Sequence, residues 1–281
     1  MESSLFSHEM SGYGQAAEDG TFLSTYPLGS SMYDFHTSSH SYFKQLVSDE
    51  HFTCLAGRTV ARTNQYAYCA YPDMTDACIA EGILHDLIKF SLKQDHEQTS
   101  ALFRSFVAAF RDPQIANPLA GAECLYTLLR NMDEKNSQHF GWAEGFSHDT
   151  DSSSFGYSAG GEAFFLAYFY PTAYWAYRRS DVTFVVFNAH KILQKLRELG
   201  RFAKLRDKIR GRQKEMHPLL GDHGTCNEWL QYTLLSPDPV TQAEELRIRQ
   251  SILGACPFHR DTPLTSVPVE TAAMEVALGN K

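Results

Sequence analysis

The chain lacks the short motifs of the commonest nucleotide-binding enzymes and of the zinc peptidases. It contains no Walker loop, no G-x-G-x-x-G turn and no H-E-x-x-H helix. Its six cysteines form no C-x-x-C pair, and no Cys and His residues have the spacing of a zinc finger or ribbon. These absences argue against nucleotide-binding, zinc-peptidase and structural-zinc functions. They also predict free thiols in a reducing compartment.

Internal repeats and long apolar runs are missing as well. The longest apolar run, residues 163–170, is far below the ~20 residues needed to span a bilayer. Residues 1–31 are polar and lack the basic and then apolar order of a secretory signal. We therefore expect a cytoplasmic protein that has no membrane segment.

Charge is distributed unevenly along the chain. The net charge is −8 over 281 residues, yet residues 187–216 hold ten Lys or Arg and only three acidic residues. A nucleic-acid-binding protein would usually be basic as a whole, so we expect no nucleic-acid partner. A local basic stripe suits a small anionic group, although a solvated helix face has the same composition.

The periodicity of apolar residues predicts the fold class. Helical spacing or strand-like runs cover residues 73–94, 118–132, 155–159, 162–170 and 182–188. Residues 99–110 are ambiguous between helix and strand, and residues 133–154 form a long polar and aromatic loop of the kind that is usually functional or mobile. Hairpins flanked by helices, without βαβ alternation, indicate an α+β fold with a mainly antiparallel sheet.

With 43% apolar residues, the chain can bury one sizeable core, and we expect a single domain. We divide the chain into a flexible N-terminal extension (residues 1–35), a folded domain (residues 36–262) and a C-terminal tail (residues 263–281). The extension and the tail lack the periodic apolar pattern of the central part.

Two residues could bind a metal ion. His190 lies where the apolar run 184–187 ends and a basic amphipathic helix begins, so a buried strand could hold its imidazole rigidly in a cavity. Neutral imidazole binds iron, copper and zinc, although a capping or buried core histidine would show the same pattern. Cys256, in A-C-P-F-H, is the alternative, because a thiolate is a strong donor to haem iron. An ordinary buried cysteine before a turn would look the same.

Other polar residues could bind a substrate. Arg178 and Arg179 follow an aromatic run and could clamp a carboxylate, or they could form surface ion pairs. Glu228 and Tyr232 are four residues apart and would share one face of a helix. Glu228 could hold a cationic nitrogen, or it could only stabilise the N-terminus of that helix.

Several of these segments, taken in order, resemble the YqcI/YcgG family. The matching segments are Y-A-Y-C-A-Y (66–71), L-L-R-N-M-D (128–133), F-G-Y-S-A-G-G-E-A-F-F (155–165), R-R with F-N-A-H-K-I-L-Q-K-L-R (178–197), I-R-G-R (209–212), N-E-W-L-Q-Y (227–232) and A-C-P-F (255–258). The F-N-x-H block and the terminal C-P-F are the most specific. Ala189 stands where the family has Pro, Gln213 where it has Asp, and Tyr170 where relatives often have His.

Characterised members of that family are haem-dependent N-oxygenases of natural-product pathways, which hydroxylate a nitrogen of an amino acid such as the guanidine of arginine. The resemblance therefore implies haem b, an amino-acid-like substrate, O2 or peroxide, and an electron donor; a homodimer stays open. It makes His190 the first choice and Cys256 the second choice for the proximal iron ligand. The other residues expected around the haem are Phe187, Asn188, Arg197, Arg210 and Tyr232, and those expected at the substrate are Glu228, Arg178 and Arg179.

Three other functions fit the same residues. A non-catalytic haem sensor or carrier would use His190 with a second histidine such as His85, His217 or His259. An aldoxime-dehydratase-like enzyme would use the haem on a nitrogen without added oxidant. A metal-free interaction protein would use the aromatic and basic residues only as core and surface.

Overall fold

One mixed sheet organises the part of the chain that the structure describes. The structure is a computed structural model, and it describes residues 11–16, 21–96, 104–111, 115–216, 228–233, 236 and 238–253. The strands are β1 (Tyr13–Ala16), β2 (Phe22–Ser24), β3 (Tyr66–Tyr71), β4 (Ser105–Phe110), β5 (Tyr157–Ala159), β6 (Glu162–Phe169) and β7 (Thr183–Ala189). They lie in the order β2-β1-β3-β4-β7-β6-β5. Only the β3–β4 pair is parallel among these seven strands.

Helices cover both faces of this sheet. They are α1 (Ser31–Ser48), α2 (Leu55–Arg62), α3 (Ala77–His96), α4 (Pro118–Asn136), α5 (His190–Glu198), α6 (Phe202–Met216), α7 (Glu228–Thr233) and α8 (Pro239–Leu253), with a 3-10 turn over Ala176–Arg178. One apolar cluster lies between the sheet and α3, α4 and α7, and a second lies between the opposite face and α1 and α2. The α+β fold class predicted from the sequence is confirmed.

The central strands β3 and β4 are buried along their whole length, so their sequences show no alternation of polar and apolar residues. This burial explains why the strand at 105–110 is ambiguous from sequence. A parallel pair needs a long crossover, and α3 supplies it between β3 and β4. The structure thus contains one βαβ unit, which the sequence pattern does not predict.

The N-terminal segment differs from the predicted flexible extension. Residues 13–16 pair with β2 and β3, and α1 begins at Ser31, whose preceding residue Ser30 accepts a hydrogen bond from the Tyr33 N–H. The side chain of Asp86 accepts hydrogen bonds from Ser11 Oγ and the Gly12 N–H, which holds β1 against the sheet. A long-range contact, rather than a local apolar pattern, orders these residues.

Two expectations about the rest of the chain can be compared with the structure. Cys54, Cys69, Cys78 and Cys124 are free thiols, as predicted, while Cys226 and Cys256 lie outside the described residues. No helix in the described ranges is both long and apolar enough to cross a membrane. The predicted tail at 263–281 also lies outside these ranges.

Candidate functional site

His190 lies at the junction between β7 and α5. Ala189, the last residue of β7, pairs with Phe164 of β6, and its backbone is still extended. His190 is the first residue of α5 and is only 6% exposed. Because the residue before it is paired in the sheet, the direction in which its imidazole leaves the backbone is set by the sheet.

The imidazole of His190 meets the carboxylate of Glu228. His190 Nε2 lies 2.9 Å from Glu228 Oε1, and the Tyr232 hydroxyl donates to the same oxygen at 2.7 Å. Glu228 and Tyr232 lie one turn apart in α7, on one face of that helix. A histidine, a carboxylate and a phenol therefore form one hydrogen-bonded group, which we call the His190 cluster.

Tyr232 holds the cluster against the sheet. It is fully buried, and its oxygen lies 3.3 Å from the Phe164 carbonyl oxygen and accepts a hydrogen bond of 3.3 Å from the Tyr157 N–H. Burial, together with the negative charge of Glu228, holds the pKa of Tyr232 well above its ordinary value. The phenol therefore keeps its proton and acts as a hydrogen-bond donor to Glu228.

Aromatic rings enclose the cluster. The Phe146 ring lies 4.7 Å from the His190 ring, and Phe155 and Phe165 lie 6.3 and 5.9 Å from the ring of Tyr232. The long loop predicted at 133–154 therefore brings one of its phenylalanines to His190. These apolar surroundings limit the access of water to the imidazole.

Gly156 makes the close approach of Phe146 and His190 possible. A Cβ at this position would lie 2.5 Å from Phe146 Cδ1 and 3.4 Å from His190 Nε2. Sequence reasoning does not single out Gly156, Phe146 or Tyr157. The only signal is a glycine between two aromatic residues, F-G-Y, immediately after a loop rich in aromatic residues.

Phe187 and Asn188 support His190 from within β7. Phe187 is fully buried and packs against Phe106 and Phe164 at ring distances of 5.8 and 6.1 Å. The amide of Asn188 accepts a hydrogen bond from Ser105 Oγ at 2.7 Å and donates to the Phe165 carbonyl at 3.3 Å. Both side chains fasten β7 to its neighbouring strands, so they fix the strand that carries His190.

The predicted basic residues of α5 and α6 follow the cluster along the chain. Arg197 is seven residues beyond His190 in α5, and its guanidinium stacks on the ring of Phe202 at 4.4 Å. Arg210 is partly buried near the middle of α6. Both arginines therefore lie in helices that follow His190 along the chain. The charge of Arg197 makes a cation–π contact with Phe202.

Arg178 and Arg179 lie at the other end of β6 and β7. The Phe169–Phe184 pair, beside Arg178, is five residues along the strands from the Phe164–Ala189 pair, or about 17 Å at the usual rise. The structure does not bring these arginines to His190, because the extended β7 carries the chain away from them. Their closeness to His190 in the sequence would suggest that they lie near it.

Both arginines bind backbone around the 3-10 turn instead. Arg178 lies 5.0 Å from the Phe169 ring and donates to the Tyr168 carbonyl at 3.5 Å, and burial lowers its pKa. Arg179 donates to the carbonyls of Ala173 and Tyr174 at 2.7 and 3.2 Å. Their contacts stabilise the connection between β6 and β7.

Arg212, from the I-R-G-R segment, also makes a structural contact. Its guanidinium donates to the backbone carbonyls of Glu50 and Phe52, which ties α6 to the connection between α1 and α2. A surface cleft of about 280 Å³ is lined there by Glu50, His51, Arg58, Arg212, Glu215 and Met216. The cleft includes no member of the His190 cluster.

The other residues that were candidates for a metal ligand are not part of the His190 cluster in the described ranges. Cys256, His217 and His259 lie outside the described residues. His85 is buried and bonded through Nδ1 to Asp86 at 3.1 Å, in a cluster beside β1 and β3. Within the described ranges, no three His, Cys, Asp or Glu side chains are grouped as they would be around a metal ion.

The donor chemistry of the His190 cluster nevertheless fits a haem iron. A haem iron needs only one protein donor, and a nearly buried imidazole beside aromatic rings meets this requirement. Glu228 is bonded to one ring nitrogen of His190, Nε2, and a metal-binding histidine usually has such a carboxylate on one of its ring nitrogens.

Comparison with known proteins identifies the family of the chain but no individual relative. No curated protein and no solved structure matches the chain. The family model described as the YqcI/YcgG family matches residues 43–244, a range that contains most of the sheet and the whole His190 cluster. The chain, with His190, Glu228 and Tyr232 joined at one end of its sheet, belongs to the YqcI/YcgG family.

Proposed function

We propose that the protein is a haem-dependent N-oxygenase that hydroxylates a nitrogen of an amino acid or of a guanidino or amino compound in a natural-product pathway. The observation that carries the proposal is His190, a nearly buried imidazole that the sheet holds in place and whose Nε2 faces a carboxylate. Membership of the YqcI/YcgG family supports it, because the resemblance to that family implies a haem enzyme of this kind.

His190 would hold the iron through its imidazole. Its position after a paired strand residue keeps the ring orientation constant, which a metal ligand requires. The rings of Phe146 and Phe155 would exclude water from the ligand. When bound, the haem supplies the activation of O2 or peroxide, with electrons from a donor where O2 is used.

Glu228 would hold a cationic nitrogen of the substrate. It is the acidic residue of the cluster, with a side chain that is 18% exposed, so a small cation can reach it. The Tyr232 hydroxyl, bonded to Oε1 at 2.7 Å, would keep the carboxylate oriented. Arg178 and Arg179 take no part in this proposal, because they lie at the far end of the strands.

The optical spectrum after hemin addition tests the proposal. We expect an intense Soret band in the wild type and, after reduction under carbon monoxide, the spectrum of an imidazole-ligated haem. Both should be lost in His190→Ala. A thiolate-type carbonyl band that survives in this variant would transfer the ligand to Cys256. No Soret band in either protein would overturn the haem function and favour a metal-free interaction protein.

A turnover assay then distinguishes between the possible haem functions. Purified hemin-loaded protein is incubated with amino acids that carry guanidine or amine groups, with peroxide or with O2 and a reductant. We expect a product that contains one added oxygen atom by mass spectrometry. Conversion without oxidant would instead indicate an aldoxime-dehydratase-like enzyme, and a haem whose two axial positions are both filled by protein would indicate a sensor or carrier. We also propose a cytoplasmic location, which the free thiols support.

A further inference from the structure

The two helices that follow β7 carry exposed positive charges that the fold does not neutralise. Residues 187–216 hold ten Lys or Arg and three acidic residues, so this segment has a charge of +7 and the remainder of the chain has −15. The exposed cations of α5 and α6 that form no ion pair with a described residue are Lys195, Arg201, Lys204, Lys208 and Lys214. Their charge therefore faces solvent.

An exposed apolar residue lies among these charges. Leu199 follows the last residue of α5 and is 51% exposed. Gly200, with a φ of 65°, then turns the chain toward α6, and no atom lies within 4 Å of a Cβ placed at this position. We call Leu199, with the neighbouring cations Lys195, Arg201, Lys204 and Lys208, the Leu199 surface. An apolar centre with a charged rim is typical of a protein–protein interface.

The charge of the remaining chain favours a small partner. A nucleic acid or a membrane extends beyond one patch and would also meet the negative charge of the remainder. Membrane binding needs a whole apolar helix face, whereas the Leu199 surface offers one leucine. A small acidic protein could cover this surface alone, because transient electron-transfer complexes bury less than ~1,200 Å² in total.

The Leu199 surface is joined directly to His190. Helix α5 begins at His190, and Leu199 comes nine residues later, which corresponds to about 14 Å along the helix axis. Hydroxylation of a nitrogen by O2 consumes two electrons and two protons, because one oxygen atom enters the new N–OH group and the other leaves as water. A donor at this surface would lie one short helix away from a haem held by His190.

We propose that the Leu199 surface is the docking site of a small acidic electron-carrier protein, which is oxidised as it supplies those two electrons. This proposal rests on the proposed function. Opposite charges would make the association fast and dependent on salt, and the contact with Leu199 would align the two proteins.

The experiment is a calorimetric titration of the hemin-incubated full chain with a plant-type ferredoxin. It is run at ionic strengths of about 0.01 and 0.1 M, where the Debye length is about 30 and 10 Å. We expect weaker binding at the higher ionic strength. Lys204→Glu/Lys208→Glu should lower the affinity at low salt at least about tenfold. Leu199→Ser should lower it about threefold at both ionic strengths.

Arg62→Glu/Arg247→Glu is the matched control, because it makes the same change of net charge at exposed residues of α2 and α8. We expect this variant to bind ferredoxin with nearly the affinity of the wild type. Equal losses in the two double variants would overturn the docking site, since the effect would then come from net charge alone. Binding to phosphatidylserine vesicles but not to ferredoxin would overturn it in favour of a membrane surface.

The Soret band, recorded on the same samples, separates the two proposals. A wild type that shows an imidazole-type haem but does not bind ferredoxin overturns the docking site and leaves the proposed function standing. A wild type that forms no haem complex overturns the proposed function and the electron-carrier role together.

Discussion

Two carboxylates of this fold, Asp86 and Glu228, bond to the same kinds of residue but in very different numbers. Each accepts hydrogen bonds from a tyrosine and a histidine. Asp86 is fully buried and accepts four hydrogen bonds, which come from Ser11 Oγ, the Gly12 N–H, the Tyr71 hydroxyl and His85 Nδ1. Glu228 is 18% exposed in its side chain and, among the described residues, accepts two, both at Oε1.

This difference separates a structural group from one suited to binding. The four donors satisfy both oxygens of Asp86, so the carboxylate has no capacity left for a ligand. Glu228 uses only Oε1 for its bonds to His190 and Tyr232. The His190 ring that it contacts also packs against the ring of Phe146. Buried carboxylates with complete hydrogen bonding stabilise a fold, and those with incomplete hydrogen bonding are candidates for function.

The largest expected effect is on stability at Asp86. Asp86→Ala leaves four donors without their acceptor, so the free energy of unfolding should fall by about 3–5 kcal/mol. Glu228→Ala should lower it by only about 1 kcal/mol, because it removes the acceptor of two donors rather than four and the Tyr232 hydroxyl can turn to the Phe164 carbonyl oxygen 3.3 Å away. Urea unfolding of both variants measures the two losses. Equal losses would remove the distinction between the two carboxylates.

Acid should weaken the half of the molecule around β1 and α1. Burial lowers the pKa of His36 and of His40 from 6.5 to about 4, and their rings bond to Ser24, Tyr68 and Tyr66. The unfolded chain therefore binds more protons than the folded chain between these values. Stability from each histidine is complete above pH 6.5 and is lost as the pH falls toward 4, with about 2 kcal/mol lost per histidine between pH 7 and 5.

Urea unfolding at the two pH values measures this loss. In His40→Phe, which keeps an aromatic ring on Phe22 and cannot titrate, the decrease between pH 7 and 5 should be about half as large. A stability that is the same at pH 7 and 5 in the wild type would show that these histidines are not buried in the neutral form.

Tyr71 and Tyr232 allow a matched comparison of the two carboxylates. Tyr71→Phe and Tyr232→Phe each remove a buried hydroxyl that donates to a carboxylate, so each should cost about 1 kcal/mol of unfolding free energy. Only Tyr232→Phe should change the affinity for hemin, since it loosens Glu228. An equal change of hemin affinity in Tyr71→Phe would show that the effect comes from general destabilisation.

The smallest effect is expected at Gly156. Gly156→Ala would place a methyl group 2.5 Å from Phe146 and 3.4 Å from His190 Nε2, so the Phe146 ring must move. Hemin affinity should fall by about threefold, and the free energy of unfolding should fall by about 1 kcal/mol, because the partly exposed Phe146 ring can move. Gly141→Ala is the control, because a methyl group at that position would meet no atom within 4 Å. Equal titration curves for the two variants would mean that Phe146 does not shape the site.

The hairpin and the amphipathic helices can be predicted from sequence because their signals are local. Gly160 and Gly161 both have positive φ, at 61° and 77°, as a tight turn between β5 and β6 requires. Helix α4 begins at Pro118 after the cap Asn117, at its predicted start. The sequence pattern does not predict strands β1 and β2, because they form by pairing with each other and with β3. Strand β4 is ambiguous because it is buried on both faces.

The candidate site can be predicted only in part. His190 at a strand end and the common face of Glu228 and Tyr232 follow from local periodicity, and the structure shows both. The meeting of His190 with Glu228 joins residues that are 38 positions apart, so no local pattern contains it. Arg178 and Arg179, only about a dozen residues before His190, lie at the opposite end of the strands.

The amino-acid sequence by itself determined the class of fold, the hairpin at Gly160-Gly161 and the place of His190 between β7 and α5, because backbone geometry and apolar spacing act over a few residues. Tertiary structure alone decided that Glu228 caps His190 and that Asp86 holds β1. It also decided that the two arginines stay away from the site. These contacts depend on how strands and helices pack over the whole chain, and packing is a property of many residues together.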